Sequence, residues 1–166
     1  AVGIGRACAL QFAKDDANII LVDYNAGALA KTEQEIKNIT SNVLSLVCDV
    51  SDNNSVTDTV KKSIAHFGKI DILVNNAGLW RCFSSFDQTD IEVWRKFIDV
   101  NILGTVYFTK AVIDKMLENR YGRIINVASV AGVYGNAKMA HYSATKGAVI
   151  SFTKAFAKEV ADKGIT

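Results

Sequence analysis

Residues 1–23 read AVGIGRACALQFAKDDANIILVD. A glycine pair, Gly3 and Gly5, stands immediately before Arg6–Asp15, whose apolar residues Ala7, Leu10 and Ala13 recur at helical spacing. Asn18–Asp23 then supplies a short, unbroken apolar run ending in an acid, the pattern of a strand buried on both faces. Glycine at a helix start lets backbone come close to a phosphate, where free N–H groups and the helix dipole attract an anion. Gly3, Ile4 and Gly5 are therefore a candidate pyrophosphate cradle. Asp23 lies 20 residues after Gly3, the spacing of an acid that holds a ribose 2′-OH in dinucleotide sites; its competing role is to cap the next helix. A further strand is expected ahead of Gly3, because such a turn is fed by one.

The same alternation continues along the chain. Gly27–Lys37 reads as a polar-faced helix with Leu29 and Ile36 inward, and Val43–Cys48 as a strand. Asp49 and Ser51 offer turn and cap chemistry for a helix through Ser55–His66, closed by Gly68. Ile70–Asn75 is the next strand, residues 79–89 a loop, and Ile91–Asn119 a helix bent near Asn101 or Gly104. Arg123–Ala128 is a strand, residues 129–140 a loop at the active end, and His141–Lys163 a long helix. Apolar strands without polar alternation, each followed by a helix, specify an α/β fold with a doubly wound parallel sheet and helices on both faces. No linker or repeat divides it, so residues 1–166 are expected to be one domain. The sequence opens in a glycine turn and closes at Gly164-Ile165-Thr166, where a helix cap hands over to a strand. It is accordingly read as truncated at both ends, with the first strand and a C-terminal substrate region missing.

Composition narrows the function classes. With 49% hydrophobic and 22% charged residues the chain can bury a core, which excludes disorder. A net charge of +2 with scattered basic residues excludes a nucleic-acid groove or a polybasic membrane patch. No apolar run approaches the ~20 residues of a membrane span. Cys8, Cys48 and Cys82 are far apart and form no CxxC pair, so neither a disulfide framework nor a metal site is expected. A cytoplasmic protein with a small-molecule partner is the expectation.

Three residues converge on redox chemistry at carbon. Tyr142 and Lys146 are four apart on the last helix and so share a face. Such a pair arises often by chance, but Ser129, 13 residues before Tyr142 and just past a strand end, narrows the coincidence. A phenol ionises near ~10 and is too weak a base at neutral pH, whereas a neighbouring ammonium favours phenolate. Lys146 supplies that charge, Tyr142 exchanges the proton of an alcohol or carbonyl, and Ser129 hydrogen-bonds the substrate oxygen. Asn76, Ala77 and Gly78 follow a strand at the carboxyl edge of the sheet, where small residues admit a ribose. Asp49 and Val50 end the preceding strand; Asp49 either binds an adenine N6 or caps a helix. His141 points about 100° away from Tyr142 on the helix and reads as a rim residue. Trp80, Phe83, Tyr134 and Met139 form either a substrate wall or core.

These residues resemble the short-chain dehydrogenase/reductase family. Gly3-Ile4-Gly5 is similar to the end of its TGxxxGxG motif, Asn76-Ala77-Gly78 to its NAG motif, and Ser129, Tyr142 and Lys146 to its catalytic set. The resemblance implies a Rossmann-like sheet, Tyr142 and Lys146 as cofactor ligands also, and Asn101 as a fourth catalytic residue whose main chain holds a relay water. Residues 121–129 and 142–147 are similar to 3-oxoacyl-carrier-protein reductases and related secondary-alcohol dehydrogenases. Those reductases favour NADP through a basic residue where this chain has Val2, and Asp23 would repel a 2′-phosphate. The expected function is therefore hydride transfer between NAD, in preference to NADP, and a secondary alcohol or ketone. The alternatives are an NADPH-linked 3-oxoacyl-carrier-protein reductase, a nucleotide-sugar epimerase or dehydratase, and a dinucleotide-binding regulator without turnover. The family also implies a homodimer or homotetramer through the helices at 102–119 and 143–163, where Val106, Phe108, Val112, Val149, Phe152 and Phe156 supply apolar surface.

Overall fold

The computed structural model describes residues 1–166, which divide into two compact units, Ala1–Ile70 and Asp71–Thr166. In the first unit the order is α1 (Gly3–Lys14), β1 (Ile19–Asp23), α2 (Ala26–Lys37), β2 (Val43–Val47) and α3 (Asn53–Phe67). β1 and β2 pair in parallel from Ile19 with Val43 to Asp23 with Val47. That register sets the acid ending β1 beside the turn leaving β2, where the Cys48 N–H donates to the Asp23 carbonyl at 3.1 Å. Ala13, Ile19, Leu21, Leu29 and Ile36 make the core, which is why the apolar runs in this half carry no polar alternation. Arg6 of α1 and Glu35 of α2 form an ion pair that joins the two helices.

The second unit contains β3 (Ile72–Asn75), a 3-10 turn at Phe86–Gln88, and α4 (Ile91–Ile98). A π-helical turn at Asp99–Leu103 leads into α5 (Gly104–Asn119). β4 (Arg123–Asn126), α6 (Ala131–Tyr134) and α7 (Ala140–Val160) complete it, with a final 3-10 turn at Ala161–Lys163. β3 and β4 are parallel, Ile72 with Arg123 through Asn75 with Asn126. Register partners Asn75 and Asn126 also meet through their side chains at 2.9 Å. Asn75 donates to Thr109 of α5 at 3.3 Å, and Asn126 donates to Thr153 of α7 at 2.9 Å. Each half-buried amide thus finds a partner on a helix covering its strand pair. Beyond Gly164, in the left-handed conformation at φ 81°, Ile165 and Thr166 run parallel to the start of β4.

Several expectations change in detail. The four strands form two parallel pairs, β1–β2 and β3–β4, rather than one hydrogen-bonded ladder. Gly3, Ile4 and Gly5 lie inside the first turn of α1 and not ahead of it. Strands expected to reach Cys48 and Ala128, or to begin at Ile70, are one or two residues shorter, because apolar composition continues past the last ladder bond. The bend near Asn101 is the π-helical turn itself. The loop at 129–140 contains the single turn α6, and α7 gives way to a 3-10 turn at Ala161. Phe108, Val112 and Val149, expected on an assembly surface, are buried in the core of their own unit. No helix is long and apolar enough to cross a membrane.

Candidate active site

In the first unit, the amino end of α1 has Val2 at its N-cap, without a side-chain cap bond, and no acid in its first turn. The N–H groups of that turn receive no side-chain acceptor, which suits them to an anion. Gly3 has φ +56° with open space on its Cβ side, a backbone that other residues adopt only under strain. Asp23 does not cap α2. Asn25 does so, accepting from the Ala28 N–H at 2.9 Å, while Asp23 Oδ1 accepts from the Asn25 N–H at 2.8 Å. Asp23 Oδ2 lies against the Ala1 amino group. Asp49 is not a helix cap either: Asp52 caps α3, and Asp49 Oδ1 accepts from the Ser51 N–H and hydroxyl at 2.9 and 2.7 Å. Val50 follows in the same turn, half-buried. Within this unit these expected residues stand at the amino end of α1 and at the carboxyl ends of β1 and β2.

In the second unit, described by itself, the other expected residues gather at the carboxyl end of the strand pair. Asn76, Ala77 and Gly78 leave β3, and Ser129 follows β4 by three residues. Lys146, one turn beyond Tyr142 on α7, is 6% exposed and donates to the Val127 carbonyl at 2.6 Å. A Cβ placed on Gly78 would lie 3.3 Å from Asn101 Oδ1 and 3.5 Å from Lys146 Nζ. Gly78 thus lies directly against the polar ends of Asn101 and Lys146. Asn101 is 1% exposed, and its amide is bonded to both the N–H and the carbonyl of Leu79, at 2.7 and 3.0 Å. Its own carbonyl accepts from Thr105 Oγ1 at 3.1 Å. Ser129 Oγ accepts from the Ala131 N–H at 3.2 Å, a bond that leaves its hydroxyl hydrogen for another acceptor. Tyr142 is half-buried.

Burial pushes the Lys146 ammonium below the ordinary lysine value of 10.5, since leaving water penalises the charged form. Below the folded value both folded and unfolded chains carry the proton; between that value and 10.5 the unfolded chain alone carries it, so stability rises with pH across this window. The wild type should therefore gain stability relative to Lys146→Met as pH is raised from about 7 to about 10. Urea melts of the two full-length proteins check this, and a constant difference across pH would refute it.

Three features escape a reading of the sequence by motif. Gly132 of α6 is one: a Cβ there would stand 2.6 Å from Gly147 N and Lys146 C, so the helix turn after Ser129 crosses α7 backbone against backbone. The small residues at 132 and 147 are the only sequence signal for it. Thr145 is the second, buried and bonded to Asn101. His141 is the third and a correction: it is 1% exposed, not on a rim, packed edge-on against Phe97 at 4.4 Å and Trp94 at 6.0 Å between ring centres. Met139 is core, while Trp80, Phe83 and Tyr134 are exposed.

The chain is similar to known proteins over its whole length. The family model described as short chain dehydrogenase matches residues 1–166. The 2-dehydro-3-deoxy-L-rhamnonate dehydrogenase (NAD(+)) of Sphingomonas sp. (strain SKA58) is 40% identical over 99% of this chain and 65% of its own length. The 3-oxoacyl-[acyl-carrier-protein] reductase FabG of Thermotoga maritima is 37% identical over 99% of this chain and 67% of its own. Among solved structures, NAD+-bound xylitol dehydrogenase superposes with a TM-score of 0.95 at 38% identity, covering 98% of this chain and 62% of that one. Serine dehydrogenase from Escherichia coli gives 0.89 at 30% identity, covering 96% and 72%. The chain spans about two thirds of the length of these relatives. A family model that matches all 166 residues, with relatives 37–40% identical across 99% of the chain, places it in the short-chain dehydrogenase family.

Proposed function

We propose that the protein transfers hydride between NAD and a secondary alcohol or ketone, with residues 1–166 as its dinucleotide-binding domain. The observation that carries this reading is Lys146, an ammonium buried against the Val127 carbonyl one helical turn from Tyr142. Burying a charge is costly, and a regulator without turnover gains nothing from it.

The residues fit a nicotinamide dinucleotide. Gly3, Ile4 and Gly5 offer uncapped N–H groups to a pyrophosphate, Asp23 accepts from a ribose diol, and Asp49 and Val50 line the adenine end. Asn76, Ala77 and Gly78, with Tyr142 and Lys146, hold the nicotinamide riboside; a side chain at Gly78 would press on Asn101 Oδ1. When bound, the nicotinamide accepts or supplies the hydride. Tyr142 takes the alcohol proton in oxidation and returns it in reduction, with Lys146 favouring its phenolate. Ser129 donates to the substrate oxygen from an Oγ already oriented by the Ala131 N–H. The Asn101 main chain, in a π-helical turn, holds the outer end of the proton relay from Lys146. Assaying the full-length protein with a panel of secondary alcohols and ketones and each cofactor tests this reading. Absence of NADH formation or consumption across the panel would overturn it.

Cofactor choice rests on Asp23 and on Val2, which is exposed at the start of α1. Two like charges ~4 Å apart at an effective dielectric of ~20 repel by ~4 kcal/mol, less where water screens them. NAD should therefore be preferred over NADP by at least about tenfold in kcat/KM. Asp23→Ala with Val2→Arg should move the preference toward NADP. Equal use of both cofactors by the wild type would count against the assignment and favour the NADPH-linked 3-oxoacyl-carrier-protein reductase. Assembly as a homodimer or homotetramer, through the half-buried Val106, Phe152 and Phe156 of α5 and α7, belongs to the same proposal.

A further inference from the structure

We propose that Thr145 is a positioning residue that sets the catalytic geometry through the Asn101 side chain, an inference resting on the dehydrogenase reading above. Thr145 stands on α7 between Tyr142 and Lys146 and is 1% exposed. Its hydroxyl donates to the Tyr142 carbonyl at 2.8 Å and accepts from Asn101 Nδ2 at 3.0 Å. Asn101 Nδ2 also donates to the Leu79 carbonyl, and Oδ1 accepts from the Leu79 N–H. A carbonyl only accepts and a backbone N–H only donates, so the direction of every bond in this chain is fixed. Both amide hydrogens and the amide oxygen of Asn101 are engaged, and the group cannot turn without breaking three bonds.

The consequence is a tie from the catalytic turn of α7, through Thr145 and Asn101, to the loop just past Gly78. Asn101 Oδ1 and Lys146 Nζ are the side-chain atoms nearest the Cβ side of Gly78. Moving the Asn101 amide therefore changes the polar surroundings that Gly78 and Lys146 share. Valine at 145 keeps the shape of threonine but leaves one buried amide hydrogen of Asn101 without an acceptor, so that two bonds to Leu79 in place of three hold the amide. The less firmly held amide lets Leu79 open more often. Serine keeps the hydroxyl and with it the whole chain of bonds.

The test uses the full-length protein. Thr145→Val should lower kcat at least about tenfold while KM for NAD stays within about twofold, and Thr145→Ser should restore kcat to within about threefold of wild type. Hydrogen exchange gives a reading independent of turnover: the Leu79 amide should exchange at least about tenfold faster in Thr145→Val, with the β4 amides unchanged, and return toward wild type in Thr145→Ser. If the valine variant does not accumulate folded, Thr145→Ala is read against Thr145→Ser in the same way. Wild-type exchange at Leu79 in the hydroxyl-free variant overturns the tie, as does wild-type kcat. A wild type inactive with every cofactor and substrate would overturn the dehydrogenase reading, while Leu79 exchange would still decide the tie.

Discussion

Tyr142→Phe in the full-length enzyme is expected to lose about 100- to 10,000-fold in kcat, with NAD affinity nearly unchanged. The phenylalanine ring keeps the half-buried packing of Tyr142 on α7 and removes only the group that exchanges a proton. The tyrosine's backbone carbonyl still accepts from Thr145, so the tie to Asn101 is intact. Lys146 still donates to Val127, so its ammonium remains in place without a phenol to influence. Binding and proton transfer are thereby separated in one substitution. Steady-state rates together with quenching of protein fluorescence by NADH measure the two. Turnover within tenfold of wild type would mean that another group moves the proton and would remove Tyr142 from the mechanism.

Much of this site is legible in the sequence because its chemistry is local. Gly3 and Asp23 are tied by one helix and one strand of fixed rise, so a spacing of 20 residues carries geometric information. Tyr142 and Lys146 are joined by a single helical turn, and their shared face follows from 3.6 residues per turn. What stays hidden depends on contacts between distant segments. A helical wheel puts His141 away from Tyr142, but whether that direction is solvent or core depends on Trp94 and Phe97 of α4. Asp49 and Asp52 are equally good caps by type, and the choice falls to Asp52 because Asp49 is engaged with Ser51 in the turn. Asn101 is visible as a bend residue; the engagement of its amide by Leu79, 22 positions earlier, and Thr145, 44 later, has no periodicity to betray it. Thr145 is buried polar surface that a motif search passes over in favour of its neighbour Lys146.

The second large effect is expected at Gly132, which has no side chain to take part in chemistry. Its Cα faces the α7 backbone so closely that an added methyl would meet Gly147 N and Lys146 C at 2.6 Å and Lys146 O at 2.9 Å. These are main-chain atoms of a helix of 21 residues, and they cannot yield as the tip of a flexible side chain would. Gly132→Ala must therefore push α6 from α7 at the level of Lys146, carrying Ser129 with it through the Ala131 and Gly132 N–H bonds. Overpacking of this kind costs about 1–3 kcal/mol of stability, occasionally more. Turnover should fall further, by at least about 100-fold, because sub-ångström placement of Ser129 and Tyr142 is what the mechanism requires. Gly147→Ala is the contrasting case. Its methyl would meet only the Gly132 carbonyl, at 3.2 Å, a contact relieved by a shift of a few tenths of an ångström, so stability should change by less than about 1 kcal/mol. Urea melts and kcat of the two full-length variants decide the matter. An effect of Gly132→Ala as small as that of Gly147→Ala would mean that the crossing tolerates a methyl on either side, and the Ser129 turn would then owe its position to something other than the close approach of α6 to α7.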